Sequence, residues 1–232
     1  MSEDNSHESG GLLKGLYNKL TDRKKDWARE GRGLTDAPND SGKRPDRLPP
    51  GQHLVTNWPV LDLGVQPDIP TDKWRLVIDG LVENPVTWNW NDFTGQPVFN
   101  DVSDMHCVTT WSRYDNQWEG VSAKHILSLV RPQTQARFVV FHSFDSYTTN
   151  IPLSAFDDND VLLATKWDGA VISKDHGGPV RVILPKLYLW KSAKWVKRIE
   201  FIAEDRRGFW EERGYHNHGD PWKEERYSAQ EE

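Results

Sequence analysis

The sequence predicts a fold of the α+β class that is mostly β. Strand-like runs of alternating or β-branched apolar residues recur from residue 51 onward and outnumber the helical segments. Only one convincing core helix is expected, over residues 123–130. The regular alternation of strands and helices that builds a doubly wound parallel sheet is missing, which argues against an α/β class.

Residues 1–50 are expected to be an arm attached to a single domain that spans residues 51–232. Apolar residues recur at helical spacing over residues 12–20, with Lys and Arg between them. This pattern predicts a short amphipathic helix that either contacts a partner or membrane surface or packs back on its own domain. Residues 33–50 are rich in Pro, Gly, Asp and Asn, which is typical of a linker or an extended arm.

Two-residue turn signals punctuate the strands of the predicted domain. Trp74 to Ile78 alternates, and Asp79-Gly80 then predicts a hairpin turn into Leu81-Val82. Asp168-Gly169 is a second signal of the same kind. The other predicted strands cover residues 137–142, 146–152, 161–167, 170–173, 179–185 and 195–203.

The predicted core helix has a start signal and one apolar face. Ser122 is the expected N-cap of the helix over 123–130, because its hydroxyl can accept a hydrogen bond from the first turn. Ile126, Leu127 and Val130 share one face. A second, short helix is expected near residues 153–157.

The composition excludes several classes of protein. No uninterrupted apolar run exceeds four residues, whereas a transmembrane helix needs roughly 20. The acidic, polar N-terminus does not resemble a secretory signal. One cysteine allows no intramolecular disulfide, so a reducing, cytoplasmic setting is expected. A net charge of -6 argues against nucleic-acid binding, and 12 Trp residues indicate a wide aromatic surface in a core or a pocket.

Cys107 is the only thiol, and its neighbours are unusually polar. A lone cysteine is often a small buried apolar residue. Here His106 and Arg113 lie close in sequence and could stabilise the thiolate, the form that acts as a nucleophile or as a ligand of a soft metal. The segment H-C-V-T-T-W-S-R at 106–113 is therefore a candidate site.

Residues 176–199 form a local basic segment in an acidic chain. This segment contains no Asp or Glu. It therefore either binds an anion, phosphate above all, or forms a solvated face. Gly177-Gly178 allows close backbone approach to a ligand, or merely a turn. The basic residues are Arg181, Lys186, Lys191, Lys194, Lys197 and Arg198.

Common metal, nucleotide and hydrolase motifs are not found. The sequence has no HExxH, CxxC, GxGxxG, P-loop or GxSxG pattern. His216 and His218 have no third ligand nearby in sequence and are expected to be loop residues.

Several stretches in the same order carry a resemblance to the molybdopterin-binding domain of the sulfite oxidase family, especially its short, stand-alone bacterial members. The resemblance covers about residues 54–226. Its motifs are the Cys107 segment with W-E-G-V at 118–121, H-G-G-P-V-R at 176–181, W-K-S-A-K-W-V at 190–196, P-V-L-D-L-G at 59–64 and G-Y-H-N-H-G-D-P-W at 214–222.

The resemblance implies a sulfite oxidase-type fold, mostly β, that buries one molybdenum–molybdopterin cofactor. Cys107 matches the family's cysteine, whose thiolate coordinates molybdenum. Arg181 and Lys194 match residues that bind the phosphate end of the cofactor. The other implied cofactor contacts are Asn57, Pro59, Val60, Ser143, His176, Ser192 and Ala193.

The implied function is oxygen-atom transfer with a two-electron change at molybdenum, on a small substrate such as sulfite or a sulfoxide, with an external electron donor or acceptor. Arg113 lies six residues after Cys107 and is expected to attract an oxyanion substrate. Tyr147 and His106 are weaker pocket candidates. Two alternatives stay open: a non-catalytic carrier of the same cofactor, and a cofactor-free thiol enzyme that pairs Cys107 with His106. The second is awkward because adjacent strand residues point to opposite faces.

Overall fold

The computed structural model describes residues 21–23, 26, 47–62, 64 and 66–231. The amphipathic helix predicted over residues 12–20 lies outside the described residues, as does most of the arm over 33–50. The division of the chain into 1–50 and 51–232 stays a prediction. Within the described residues, no helix is long and apolar enough to cross a membrane.

Strands dominate the described chain, as the sequence predicts, and three short α-helices interrupt them. The helices are α1 (Trp90–Thr94), α2 (Ala123–Val130) and α3 (Leu153–Phe156). The strands are β1 (His53–Leu54), β2 (Arg75–Gly80), β3 (Val86–Asn89), β4 (Phe99–His106), β5 (Trp111–Ser122), β6 (Phe138–Ser143), β7 (Thr148–Pro152), β8 (Leu162–Trp167), β9 (Ala170–Val171), β10 (Arg181–Ile183) and β11 (Val196–Ile202).

The strands form two sheets. In the first, β5 pairs with β1, β4 and β8, and β8 also pairs with β9 and β10. The second has the order β3-β2-β11-β6-β7. Only β1 with β5 and β2 with β11 run parallel, so both sheets are mainly antiparallel. This confirms the α+β class, with more strand than helix.

The helix α2 confirms its sequence signals. It spans the predicted residues 123–130, and the Ser122 hydroxyl accepts a hydrogen bond from the His125 backbone N–H at 3.2 Å. Ile126 and Val130 are buried, and Leu127 packs against the same core. Local periodicity and capping therefore agree with the tertiary environment here.

One predicted hairpin is confirmed and the other is wrong. Asp168 and Gly169 connect β8 to β9, and both have positive φ, as a tight two-residue turn requires. Asp79 and Gly80 instead continue β2 and pair with β11. Gly80 lies so close to the neighbouring strand that an added Cβ would come within 2.2 Å of the Phe201 carbonyl oxygen. Gly80 also has a φ of 87°, in the left-handed region. The close contact with β11 and this backbone conformation, rather than a two-residue hairpin, together require the glycine.

Five of these strands and helices were not predicted: β1, β3, α1, and the long antiparallel pair β4 and β5. The pair spans residues 99–122 and frames Cys107. Polar and charged residues are frequent in it, for example Asp101, Asp104 and Asp115. Its two strands are stabilised by pairing with each other and with β8, which single-strand patterning does not reveal.

Two hydrophobic clusters fill the interior. The larger contains aliphatic and aromatic residues of both sheets and of α2, such as Leu76, Ile126, Phe141, Leu163 and Val182. The smaller surrounds Cys107 and is mostly aromatic. The high Trp content thus serves both a core and a pocket wall. The aromatic members of the smaller cluster are Trp58, Trp111, Trp118, Tyr188, Trp190, Trp210, Tyr215 and Tyr227.

Candidate active site

A cleft brings Cys107 and the basic segment to the same place in the fold. It contains about 910 Å³ of space free of protein atoms, including its mouth open to solvent. We call the part around Cys107, Thr109, Trp111 and Tyr215 the cysteine end. The basic end is formed by His176, Arg181, Ser192 and Lys194.

Cys107 lies in a tight loop between β4 and β5. The Cys107 N–H donates to the Trp111 carbonyl at 2.8 Å, and the Thr110 N–H donates to the Cys107 carbonyl at 3.0 Å. Thr110 closes the loop with a φ of 73°, in the left-handed region. The sulfur lies 3.1 Å from the Thr109 hydroxyl, and the residue is only 5% exposed. A buried sulfur on a cleft wall suits a soft metal ligand.

His106 lies outside the cleft lining and hydrogen-bonds away from the thiol. Its Nδ1 is 2.8 Å from the Ser112 hydroxyl. Burial lowers the pKa of His106 to about 4, although Asp104 opposes the shift. The imidazole is neutral at pH 7, so it adds no positive charge beside Cys107. The cofactor-free thiol–histidine alternative gains no support from this arrangement.

Arg181 is a buried cation whose hydrogen-bond partners, among the residues that the structure describes, are all carbonyl groups. It is 2% exposed and donates to the His176 carbonyl at 2.7 Å and the Ser192 carbonyl at 3.1 Å. Its Nε has no hydrogen-bond partner among the described residues. Burial lowers the pKa of Arg181, but a guanidinium keeps its proton in proteins. An unpaired buried cation is costly, so this position is suited to an anionic ligand.

Lys194 supplies a second cation at the basic end. Its Nζ donates to the carbonyls of Leu61 at 2.9 Å and Asp175 at 2.6 Å, and it forms no ion pair with a carboxylate in the described part of the chain. Burial, and after it the neighbouring Arg181, lower the pKa of Lys194 to about 8, although Asp62, Asp175 and Asp145 oppose the shift. Gly177 permits this arrangement, because a Cβ there would lie 2.8 Å from Lys194 Cβ. The glycine signal in the sequence therefore reflects close approach to Lys194.

Two predicted serines complete the polar lining. Ser192 Oγ accepts from the Leu184 N–H at 3.0 Å. Ser143 is fully buried on the cleft wall, and its hydroxyl has no partner among residues the structure describes. A buried hydroxyl and a guanidinium N–H without partners on one cleft indicate that a polar ligand belongs there.

Trp58 covers the basic end. Its ring stacks on His176 at 3.9 Å between centroids, and the Arg181 guanidinium lies 4.9 Å from its ring centroid. Burial and the nearby Arg181 and Lys194 lower the pKa of His176, although Asp175 opposes them. The sequence did not single out Trp58, although it lies between the predicted residues Asn57 and Pro59.

Arg113 does not lie on the cleft lining. Its Nη2 is 2.8 Å from the Asp168 carboxylate, and its Nη1 hydrogen-bonds Asn116. The guanidinium stacks on Trp167 at 4.6 Å, and Trp167 in turn contacts Trp58. The sequence suggested that Arg113 attracts an oxyanion, but here its charge is paired with Asp168 behind an aromatic wall.

The remaining predicted contacts divide into two groups. Pro59 and Tyr147 line the cleft, and the Tyr147 hydroxyl donates to the Trp190 carbonyl at 2.5 Å. Asn57, Val60 and Ala193 do not line it: the first two are exposed and Ala193 is buried in the larger core. His216 and His218 also lie outside the lining, in a network with Glu225.

Most of the aromatic wall of the cleft was not predicted from the sequence. Tyr215 lies near Cys107, and burial raises the pKa of its phenol, so it stays protonated. Only the total Trp content hinted at such a wall, because its residues come from distant segments. The aromatic lining residues that were not singled out are Trp58, Trp111, Trp190, Trp195, Trp210 and Tyr215.

The donors at both ends fit a molybdenum–molybdopterin cofactor. A buried thiol suits a high-valent metal that already carries sulfur ligands. Arg181 is buried and Lys194 is partly buried, and neither forms an ion pair among the described residues, although Asp62 and Asp145 also line the cleft. Two such cations, one with an unpartnered Nε, suit a phosphate group. The aromatic wall between them can exclude water around a large planar group.

Comparisons with known proteins agree with this chemistry. Residues 63–210 match the family model described as the oxidoreductase molybdopterin binding domain. The uncharacterized oxidoreductase YuiH of Bacillus subtilis is 40% identical over 200 residues, which cover 84% of this chain and 98% of YuiH. The methionine-sulfoxide reductase catalytic subunit MsrP of Campylobacter jejuni is 27% identical over 61% of this chain and 53% of MsrP.

The fold also resembles a solved structure. The sulfane dehydrogenase SoxCD of Paracoccus pantotrophus matches with a TM-score of 0.55 and 20% identity, over 60% of this chain and 40% of that chain. This likeness supports the fold class alone.

Proposed function

Because the chain belongs to the family of oxidoreductase molybdopterin-binding domains, we propose that its cleft transfers an oxygen atom to or from a small neutral substrate of the sulfoxide type. The sulfite oxidase-type resemblance is confirmed at the level of the family. The protein is a molybdenum-cofactor-dependent oxidoreductase. The non-catalytic carrier is therefore not the preferred interpretation.

We assign the cofactor to the two ends of the cleft. The Cys107 sulfur would bind molybdenum, and Arg181 and Lys194 would bind the phosphate. Ser143 and Ser192, which also line the cleft, would offer further polar contacts to the cofactor. When bound, the cofactor supplies two-electron oxygen-atom transfer. The protein's own contribution is to hold these groups, to exclude water and to shape the approach to the metal.

The charge of the cleft supports a neutral substrate. The cationic lining residues Arg181 and Lys194 lie at the basic end, where the cofactor phosphate would neutralise them. The described lining of the cysteine end is uncharged and largely aromatic, and Arg113 is paired with Asp168 outside it. A doubly charged oxyanion would meet no free cation near Cys107. An aromatic wall favours an organic substrate.

Tyr215 is the polar group best placed to orient such a substrate. Its phenol stays protonated, since burial raises its pKa. A phenolic O–H can donate a hydrogen bond to a polar S=O oxygen. The reduction of a sulfoxide consumes two electrons and two protons and yields a thioether and water. We propose that the electrons come from an external donor, a separate protein or a small carrier.

The test is a comparison of two substrates with the purified holoenzyme. Sulfoxide reduction is followed by the oxidation of a reduced viologen dye, and sulfite oxidation by the reduction of ferricyanide. The proposal predicts a higher kcat/KM for dimethyl sulfoxide than for sulfite. A kcat/KM that favours sulfite would overturn the neutral-substrate assignment.

A reducing, cytoplasmic compartment for this protein stays a prediction.

A further inference from the structure

The loop that carries Cys107 is fixed by two segments at opposite ends of the described chain. We call residues 107–110 the cysteine loop. We propose that Gln52 and Arg226 are positioning residues that clamp this loop and so set the direction of the Cys107 sulfur. The inference rests on the proposed role of Cys107 as a metal ligand. Both clamp residues lie outside the residues 63–210 that match the family model.

Gln52 holds the first carbonyl of the loop from the N-terminal side. Its Nε2 donates to the Cys107 carbonyl at 3.1 Å, and its Oε1 accepts from the Ser112 hydroxyl at 3.3 Å. The next residue, His53, donates its backbone N–H to the Thr110 carbonyl at 2.8 Å. One side chain thus connects the cysteine loop to the strand that follows it.

Arg226 holds the second carbonyl from the C-terminal side. Its Nη1 donates to the Val108 carbonyl at 2.7 Å, and its Nη2 lies 3.4 Å from the Pro50 carbonyl. The guanidinium lies 5.1 Å from the Tyr188 ring centroid, and the residue is only 7% exposed. Arg226 therefore joins the cysteine loop to both outer segments of the chain.

Together these bonds leave no carbonyl of the cysteine loop unpaired. Cys107 and Val108 accept from the clamp, Thr109 accepts from the Thr110 hydroxyl at 2.7 Å, and Thr110 accepts from His53. On the N-terminal side of the Cys107 Cα, the Cys107 N–H donates to the Trp111 carbonyl, and on the other side the Cys107 carbonyl accepts from Gln52. With both flanking peptide groups fixed, the direction of the Cys107 side chain is fixed as well. Groups that orient a metal ligand matter nearly as much as the ligand, because displacements of about 0.5 Å impair a site.

The single cysteine makes the clamp measurable without the cofactor. The full-length chain, produced in a host that lacks the cofactor, is treated with iodoacetamide, and Cys107 alkylation is followed by mass spectrometry. Cys107 is 5% exposed, so alkylation requires the loop to open. Loss of one hydrogen bond from a charged donor is expected to make alkylation of Arg226→Met about tenfold faster or more.

Arg213→Met is the matched control. Arg213 also lies in the C-terminal segment, donates to a carbonyl, that of Phe209, at 2.7 Å, and stacks on an aromatic ring. It does not contact the cysteine loop, so its alkylation rate should equal that of the wild type. Urea unfolding of each variant separates local opening from global destabilisation. The proposal would be overturned if Cys107 in Arg226→Met were alkylated no faster than in Arg213→Met. It would also be overturned if the loss of global stability measured in urea accounted for the whole increase in the alkylation rate.

Gln52→Glu provides a second variant that changes little volume. It loses the donor to the Cys107 carbonyl and should also accelerate alkylation, though less than Arg226→Met. Should Arg226→Met not fold, a wild-type alkylation rate in Gln52→Glu would by itself overturn the proposal.

The loaded enzyme supplies a readout specific to positioning. In Arg226→Met the g-values of the molybdenum(V) EPR signal should shift and molybdenum should be lost faster on dilution, with partial rescue in Arg226→Lys. A wild-type signal and retention in Arg226→Met would contradict the proposal. If no chain, including the wild type, binds molybdenum, the proposed function fails, whereas the alkylation result still decides whether the clamp exists.

Discussion

At the cysteine end of the cleft, all four carbonyls of residues 107–110 accept hydrogen bonds from the protein. At the basic end, Arg181 is buried and Lys194 is partly buried, neither forms an ion pair with a carboxylate in the described chain, and Arg181 Nε has no hydrogen-bond partner there. The first end is complete and presents a single sulfur. The second is incomplete and needs an anion. The difference shows how one cleft can hold a metal ligand rigidly at one end and still depend on the bound cofactor to balance the positive charge at the other.

Of the changes at the two ends of the cleft, replacement of the Cys107 sulfur should have the largest effect on activity. Cys107→Ser should retain the fold, because the cysteine loop is held through its backbone carbonyls, which the substitution leaves unchanged. A hydroxyl is a poor ligand for a soft site, so dye-coupled activity should fall by more than the roughly 10–100-fold that changes around a ligand cost. Thermal unfolding checks the fold. Full activity in the serine variant would remove Cys107 from the metal site.

Charge reversal at the basic end should have the next largest effect. Lys194→Glu places a negative charge where the phosphate is expected, so cofactor affinity should fall about 100-fold, equivalent to a few kcal/mol. The measurement is molybdenum and pterin content after purification. The matched control is Lys197→Glu, since Lys197 is not part of the cleft lining. Equal cofactor content in the two variants would exclude Lys194 from the site.

Both ends of the cleft could be predicted from the sequence. The polar context of Cys107 and the charge of residues 176–199 identified the two ends, because both signals are local. The helix α2 and the Asp168-Gly169 turn were predicted for the same reason.

Features that depend on distant pairing were missed or misassigned. Gly80 packs against Phe201, so its turn signal was misleading. The charge of Arg113 is paired with Asp168, 55 residues away, so nearness in sequence to Cys107 did not place it in the cleft. The aromatic wall and the strands β4 and β5 likewise depend on contacts between segments far apart in the chain.

The basic end should respond to pH in a way that the cysteine end does not. The pKa of Lys194 is lowered to about 8 in the folded chain, below its unfolded value. As pH rises from about 8 to 10, the unfolded state therefore holds more protons, and this group's contribution to the free energy of unfolding increases. Over the same range the folded chain loses the positive charge that attracts an anion.

Inorganic phosphate should therefore raise the melting temperature of the cofactor-free chain more at pH 7 than at pH 9.5. The experiment is differential scanning fluorimetry with and without phosphate at matched ionic strength. In Lys194→Met the phosphate effect should be smaller and should not fall between pH 7 and 9.5, because phosphate itself only becomes more negative as pH rises. The same phosphate shift at both pH values in the wild type would contradict the proton assignment.

The smallest effect is expected outside both ends. Arg113→Met removes a partly exposed ion pair and a stacking contact on Trp167, each of modest worth. The kcat/KM for a neutral sulfoxide should change by no more than about threefold, by the same reasoning. Asp168→Asn, which removes the other partner, is the matched variant. A tenfold loss confined to sulfite in Arg113→Met would restore the role in oxyanion attraction that the sequence suggested.

The most direct test of the account is X-ray absorption at the molybdenum edge, on the wild type and on whatever molybdenum Cys107→Ser retains. If the thiol at the complete end of the cleft binds the metal, the serine variant will show one sulfur fewer around molybdenum and one light atom in its place or none. The same number of sulfur neighbours in both proteins would show that Cys107 is not a ligand, and would contradict the account of the cleft given above.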